Sequence, residues 1–153
     1  MKMDEWHIPL YQRRSDPEPI KFPNYRINRY GQIRSLRKNK ILKPVKVSSA
    51  GYYEVALTNE FASKDLYSSH IKCLIHKLVA HTFIPNENFI KYSQVNHIDG
   101  NRLHNHLDNL EWVTPSENAK KRLDDKDKNK KEYPQEHYTQ IRNQLNIFDI
   151  IDE

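Results

Sequence analysis

Apolar and polar residues alternate early in the chain. Tyr25 and Ile27 are interleaved with Asn24, Arg26 and Asn28, the period of a half-buried strand. Tyr30-Gly31 marks a turn, and Gln32 to Leu36 returns. Ile41 to Val47, Gly51 to Leu57 and Tyr67 to Ile75 predict further strands, so this part reads as a small antiparallel sheet. The period then changes. Leu78, Val79, Thr82 and Phe83 share one face of a helix over His76 to Ile84, which Pro85 stops. That helix is expected to pack across the strands that follow and to tie the two parts of the chain together. Val95 to His97 and Leu110 to Val113 predict two short strands, with a tight turn at Asp99-Gly100. Thr114 then offers an N-cap, Pro115 suits the first helical position, and Glu117 completes a capping box. The order is strand, loop, strand, helix.

The ends are less regular. Met1 to Phe22 is polar and proline-containing, with Trp6, Ile8, Leu10 and Tyr11 as anchors, and reads as an irregular lead-in. The last helix runs on through Leu123, and Asp124 to Lys131 is an alternating charge run suited to a solvated linker or helix end. Tyr138, Ile141, Leu145, Phe148 and Ile151 recur at intervals of three or four, which predicts an amphipathic helix over Tyr133 to Ile151. The expected class is α+β: an N-terminal sheet module over 1–70, a core over 71–125 and a helical tail over 126–153.

Composition favours small modules over one thick domain, with 37% of the 153 residues hydrophobic and 29% charged. The net charge of +5 favours an anionic partner, and its distribution sharpens that reading. Nine bases and no acid lie between Ile20 and Tyr53: Lys21, Arg26, Arg29, Arg34, Arg37, Lys38, Lys40, Lys43 and Lys46. Gln94 to Asn118 holds four acids and one Arg, a mildly acidic centre suited to a cation. Cys73 is the sole cysteine, which excludes an intrachain disulfide and a cysteine-rich zinc site. No run approaches a membrane span and the first residues lack an apolar signal core, so the chain reads as intracellular.

Candidate chemistry concentrates in Val95-Asn96-His97-Ile98-Asp99-Gly100-Asn101 and in Asn109 to Asn118. Asn109 and Asn118 follow His97 by 12 and 21 residues. With this spacing the stretch resembles the ββα-metal core of HNH endonucleases (the His-Me finger), in the variant typical of phage and intron homing enzymes. The flanks extend the likeness: His76 to Ala80 and Phe83-Ile84-Pro85-Asn86 before it, and Asn109-Leu110-Glu111-Trp112 within it. The resemblance implies that His97 is the general base, that Asn109 holds the loop that orients it, and that Asn118 binds a divalent metal, Mg²⁺ or Mn²⁺. It also places Asn96 at a metal position where relatives often carry Asp, so an amide oxygen replaces a carboxylate. A second departure is His104-Asn105, where relatives often have an Asn-Asn pair. The letters His104-Asn105-His106 are not the positions that name the family, although a His-X-His metal pair is an alternative. His76 and His81, five residues apart, and Trp112 read as structural.

Trp6, Ile8-Pro9, Tyr25 to Ser35 and Gly51-Tyr52 resemble a nuclease-associated modular domain, with Arg34-Ser35 on its Arg-Ser pair and an insertion from Gln12 to Ile20. That likeness implies DNA contact through Arg26, Arg29, Arg34, Arg37, Lys38 and Lys40. Related enzymes often end in a helix-turn-helix reader, for which this tail looks too short. The expected function is a metal-dependent DNA endonuclease, nicking one strand as a monomer or weak dimer. The alternatives are a DNA-binding protein that has lost catalysis and a structural protein using the acidic tail.

Overall fold

A computed structural model describes residues 5–47, 49–60 and 69–128. The chain divides into two compact units, Met1–Arg122 and Leu123–Glu153. The expected helix over Tyr133 to Ile151 lies outside the described residues.

The lead-in is more ordered than its composition suggests. β1 (Leu10–Tyr11) pairs antiparallel with β2 (Ile20–Lys21). The turn that joins them is closed by Asp16, whose carboxylate accepts the backbone N–H of Arg13 at 2.9 Å and also pairs with its guanidinium. Phe22 and Tyr11 are buried, which anchors both strands.

The expected single sheet is two sheets. β3 (Tyr25–Ile27), β4 (Ile33–Ser35) and β5 (Lys40–Ile41) form one antiparallel meander. β6 (Val45–Lys46), β7 (Tyr53–Thr58) and β8 (His70–Leu74) form the second. Pro44 stands between them, has no N–H to give to a ladder, and interrupts the expected strand Ile41 to Val47. The expected start of β8 at Tyr67 lies outside the described residues.

β8 runs directly into α1 (Ile75–Phe83), which buries Ile75, His76, Leu78, Val79 and Ala80. β9 (Gln94–His97) and β10 (Leu110–Val113) make an antiparallel hairpin, and α2 (Pro115–Lys128) follows. The capping box forms as expected: Glu117 N–H donates to Thr114 Oγ1 at 3.2 Å, and Thr114 N–H to Glu117 Oε2 at 2.8 Å. Helical geometry persists to Lys128, through the first part of the charge run.

α1 is the central element. One core cluster joins Phe22, Ile27, Ile33, Leu57 and Cys73 of the N-terminal strands to Leu78 and Val79 of α1 and to Val95 and Leu110 of the hairpin. Burial at Cys73 pushes its thiol up to about 12, so it is an inert core group. The turn at Asn28–Gly31 locks against the later loop. Asn28 Oδ1 accepts the N–H groups of Tyr30 and Gln32 at 3.1 and 3.0 Å. Gly31 has φ +78°, and a Cβ there would lie 2.8 Å from Ile75 Cγ2, so neither the backbone nor the space admits a side chain. Leu107 N–H donates to Arg29 C=O at 2.7 Å and Arg102 Nη1 to Ala50 C=O at 2.8 Å, which moors the β9–β10 loop to the N-terminal strands.

Candidate active site

The hairpin register pairs Leu110 with His97 and Glu111 with Asn96. Side chains alternate along a strand, so Val95 and His97 turn into the interior while Gln94 and Asn96 face the other way. The second pair meets α2. Asn118 Nδ2 donates to Gln94 Oε1, Asn96 Nδ2 donates to Glu111 Oε1 at 2.8 Å, and Lys121 forms an ion pair with Glu111.

His97 is 5% exposed. Its Nε2 lies 2.9 Å from Asn105 Oδ1, while Asn105 Nδ2 is directed at Leu103 C=O. Nε2 therefore carries the proton and donates, which leaves Nδ1 as the basic nitrogen. Burial holds the imidazole below its ordinary pKa, against the opposing effects of Asn105 and Asp99, so the neutral form dominates at pH 7. The ring stands 5.0 Å from that of His76 and 6.0 Å from that of Tyr52, and the Arg102 guanidinium lies 5.0 Å from the Tyr52 ring centroid. Tyr52 comes from the N-terminal module, so that module contributes to the wall around the candidate base.

Asn109 ends a 3₁₀ turn over Leu107–Asn109 and is buried. Its Oδ1 accepts Asp99 N–H at 3.0 Å, and its Nδ2 donates to Asp99 Oδ1 and to His104 C=O, both at 2.9 Å. One amide thus closes both ends of the 99–104 loop. Inside that loop His104 Nδ1 donates to Asp99 Oδ2, and His104 Nε2 accepts from Asn101 Nδ2 at 3.1 Å. Burial raises the Asp99 carboxyl, but the bonds from His104, Asn109 and Asn101 outweigh it and the net position is below the usual carboxylate range. His104 is thereby a loop clasp. Among the described residues no group of three or more His, Cys, Asp or Glu is placed to hold a metal ion.

Two other histidines are structural. His76 is buried between Tyr52 and His97, and burial together with the His97, Lys77 and His81 charges lowers it to about 3. His81, lowered to about 4 by burial and Lys77, packs edge-on against Trp112 at 4.8 Å. Trp112 packs on the core and donates Nε1–H to Ile84 C=O at 3.1 Å.

The oxygen donors nearest α2 suit a hard divalent ion. Asn96 gives its N–H to Glu111 and Asn118 gives its N–H to Gln94, and an amide oxygen is the kind of ligand such an ion prefers.

Several bases of the acid-free run have polar or acidic partners in the fold. Arg26 and Arg34 are direct cross-strand neighbours on the outer face of the first sheet. Arg26 Nη1 donates to the Pro23 and Tyr25 carbonyls at 2.9 and 2.8 Å, and Arg34 Nη2 to Asn39 Oδ1 at 2.8 Å. Arg29 pairs with Asp108 at 2.7 Å, and Arg37 pairs with Glu60. These acids lie outside the acid-free run and only the fold brings them in. Lys40 sits on β5 opposite Ser35, and Lys38 N–H donates to Ser35 Oγ at 3.3 Å.

Three residues at the site were missed in the sequence: Asn105, Tyr52 and Glu111. Asn105 had a signal, since it stands at the second position of the family's Asn-Asn pair. Glu111 had one too, because pairing His97 with Leu110 puts Glu111 opposite Asn96. Tyr52 had none, since only tertiary packing brings it to His97.

Residues 75–120 match the family model described as HNH endonuclease. Two uncharacterized HNH endonucleases of Acanthamoeba polyphaga mimivirus are 42% identical over 95 residues and 37% identical over 103 residues, covering 62% and 67% of this chain but 26% and 24% of theirs. An SPbeta prophage-derived protein of Bacillus subtilis (strain 168), named as an HNH homing endonuclease, is 42% identical over 82 residues, 52% of this chain and 43% of that protein. The chain thus spans about a quarter of the viral relatives and under half of the prophage one. The solved structure of DNA binding and cleavage by the HNH homing endonuclease I-HmuI shares the fold, with a TM-score of 0.55 and 23% identity over 93% of this chain and 68% of that one.

Proposed function

We infer that this chain, which carries an HNH endonuclease core over residues 75–120, is a divalent-metal-dependent DNA endonuclease that nicks one strand. The observation that carries the reading is the placement of His97 and Asn109 on one hairpin and Asn118 in the first turn of the helix that follows it. Hydrolysis requires a water oxygen to attack phosphorus, a group to take its proton, and departure of the deoxyribose oxygen. His97 is the proton acceptor, through Nδ1. Asn109 pins the loop that leads away from it. Asn118 and Asn96 hold Mg²⁺ or Mn²⁺ through their amide oxygens. Such a cation, when bound, stabilises the charge that builds on the phosphate and leaving oxygen.

DNA is held by Arg26, Arg29, Arg34, Arg37, Lys38 and Lys40. In support of this, Arg26 and Arg34 are cross-strand neighbours, a like-charge pairing whose modest cost a phosphate lying over it would relieve. Arg29 and Arg37 exchange exposed carboxylate partners for phosphate at little cost, because exposed ion pairs contribute only about 0–1 kcal/mol. Neutralising Arg26, Arg34, Arg37 and Lys38 together is expected to weaken DNA binding and to lower the salt slope by up to about 0.9 per lost contact. Binding titrations over a salt series check this, and an unchanged slope removes this face from the interface.

Conversion of supercoiled plasmid to open circle, with Mg²⁺ and in EDTA, tests the function. Metal-dependent nicking is expected. Asn96 favours a second reading, a DNA binder without catalysis, because it replaces a carboxylate with a neutral amide. Binding in EDTA with no nicking at any metal concentration would select that second reading.

A further inference from the structure

We propose that Glu111 supplies the carboxylate that position 96 lacks, as a third ligand to a divalent cation held with Asn96 and Asn118, and that Lys121 occupies this carboxylate until the metal arrives. The proposal rests on the metal reading given above.

The strand register carries the argument. Glu111 is the cross-strand partner of Asn96, and its Oε1 already lies 2.8 Å from the Asn96 amide. A half-turn of that amide about its last side-chain bond exchanges N–H for oxygen. The donor pair Asn96–Glu111 then becomes two oxygens directed at one place, which is what a hard cation requires. The same Oε1 receives Lys121 Nζ. One carboxylate oxygen therefore takes both an amide N–H and an ammonium, so it already serves as the seat of a positive charge.

α2 provides the geometry for exchange. Asn118 and Lys121 are three residues apart in a helix and so share a face. Asn118 faces Gln94 and Lys121 faces Glu111, side by side over the hairpin. The Lys121 and Glu111 side chains are 40% and 37% exposed, so water and ions reach the pair and breaking it costs little. Gln94, Asn96 and Asn118 are neutral, so Glu111 is the anionic member of this set. Displacement of Lys121 turns a neutral pair into a site of net negative charge next to two amide oxygens. The freed ammonium is then available to a DNA phosphate.

The test is Mn²⁺ binding to the full chain without DNA, followed by loss of the free-ion electron paramagnetic resonance signal, for wild type, E111Q, K121M, N118A and the double variant N96D/E111Q. Melting in EDTA checks that each is folded. E111Q is expected to weaken Mn²⁺ by about tenfold or more, and K121M to tighten it severalfold, since it removes the competing ammonium and leaves the carboxylate. N96D/E111Q should regain most of the loss, because the carboxylate is returned to the other strand. If E111Q does not fold, K121M decides. Unchanged Mn²⁺ binding in E111Q and K121M, with weakening in N118A, overturns the role of Glu111 and leaves the cation site intact. Wild type that takes up no Mn²⁺, or loses none with N118A, overturns the cation site itself and the role of Glu111 with it.

Discussion

Replacing His97 by Ala is expected to lower plasmid nicking by about 10²–10⁴-fold, the range for loss of a positioned general base. DNA affinity should stay within roughly a few-fold, because His97 is 5% exposed and faces Asn105, Tyr52 and His76, whereas the bases assigned to DNA lie on the N-terminal strands and the turns between them. The measurement is a single-turnover nicking rate beside a binding titration in EDTA. Near-normal nicking by the variant would remove His97 from the chemistry. The Asn105 contact adds a finer expectation. Asn105→Asp keeps an oxygen acceptor for Nε2–H and should retain far more activity than Asn105→Leu, which leaves the buried N–H without a partner. Equal losses in the two variants would mean that the tautomer of His97 does not matter.

Asn109→Ala is expected to be the most destabilising single change in the loop. It removes three hydrogen bonds, to Asp99 N–H, Asp99 Oδ1 and His104 C=O. At about 1 kcal/mol for each of these part-buried bonds, the loss is about 3 kcal/mol. For a chain of this size that corresponds to roughly 6–12 °C in Tm. Asn109→Asp should not rescue it. It keeps the acceptor for Asp99 N–H, yet it sets a second carboxylate against Asp99 Oδ1, which now receives an N–H. Thermal melting and amide exchange at Asp99 check this. A Tm within roughly 2 °C of wild type would show that His104 and Asp99 close the loop without the amide. Nicking should fall with the loop, since the 99–104 segment also carries Arg102, whose guanidinium lies over the Tyr52 ring beside His97.

Local chemistry was legible in the chain itself. The short strands β9 and β10, the positive φ of Gly100 at the expected turn and the Thr114–Glu117 capping box each depend on residues within a few positions of one another, so pattern and propensity suffice to place them. The same holds for α1, whose apolar stripe announces the core it fills. The family likeness implies a loop-holding role for Asn109, and only the fold shows which groups its amide meets: Asp99 N–H, Asp99 Oδ1 and His104 C=O.

Other features needed the fold. The break between the two meanders at Pro44, and the strand pair that closes over Asp16, depend on backbone hydrogen bonds whose partners no periodicity reveals. The run from Ile20 to Tyr53 is acid-free along the chain but not in space. In space Asp108 reaches Arg29 across 79 positions, and Glu60 reaches Arg37. Electrostatic partners are set by distance in three dimensions, which linear spacing does not encode beyond a helical turn or a hairpin. Tyr52 beside His97, and Lys121 on the carboxylate opposite Asn96, have the same origin. Each is a side chain delivered to a site built on another part of the chain, and only the tertiary arrangement brings the two together.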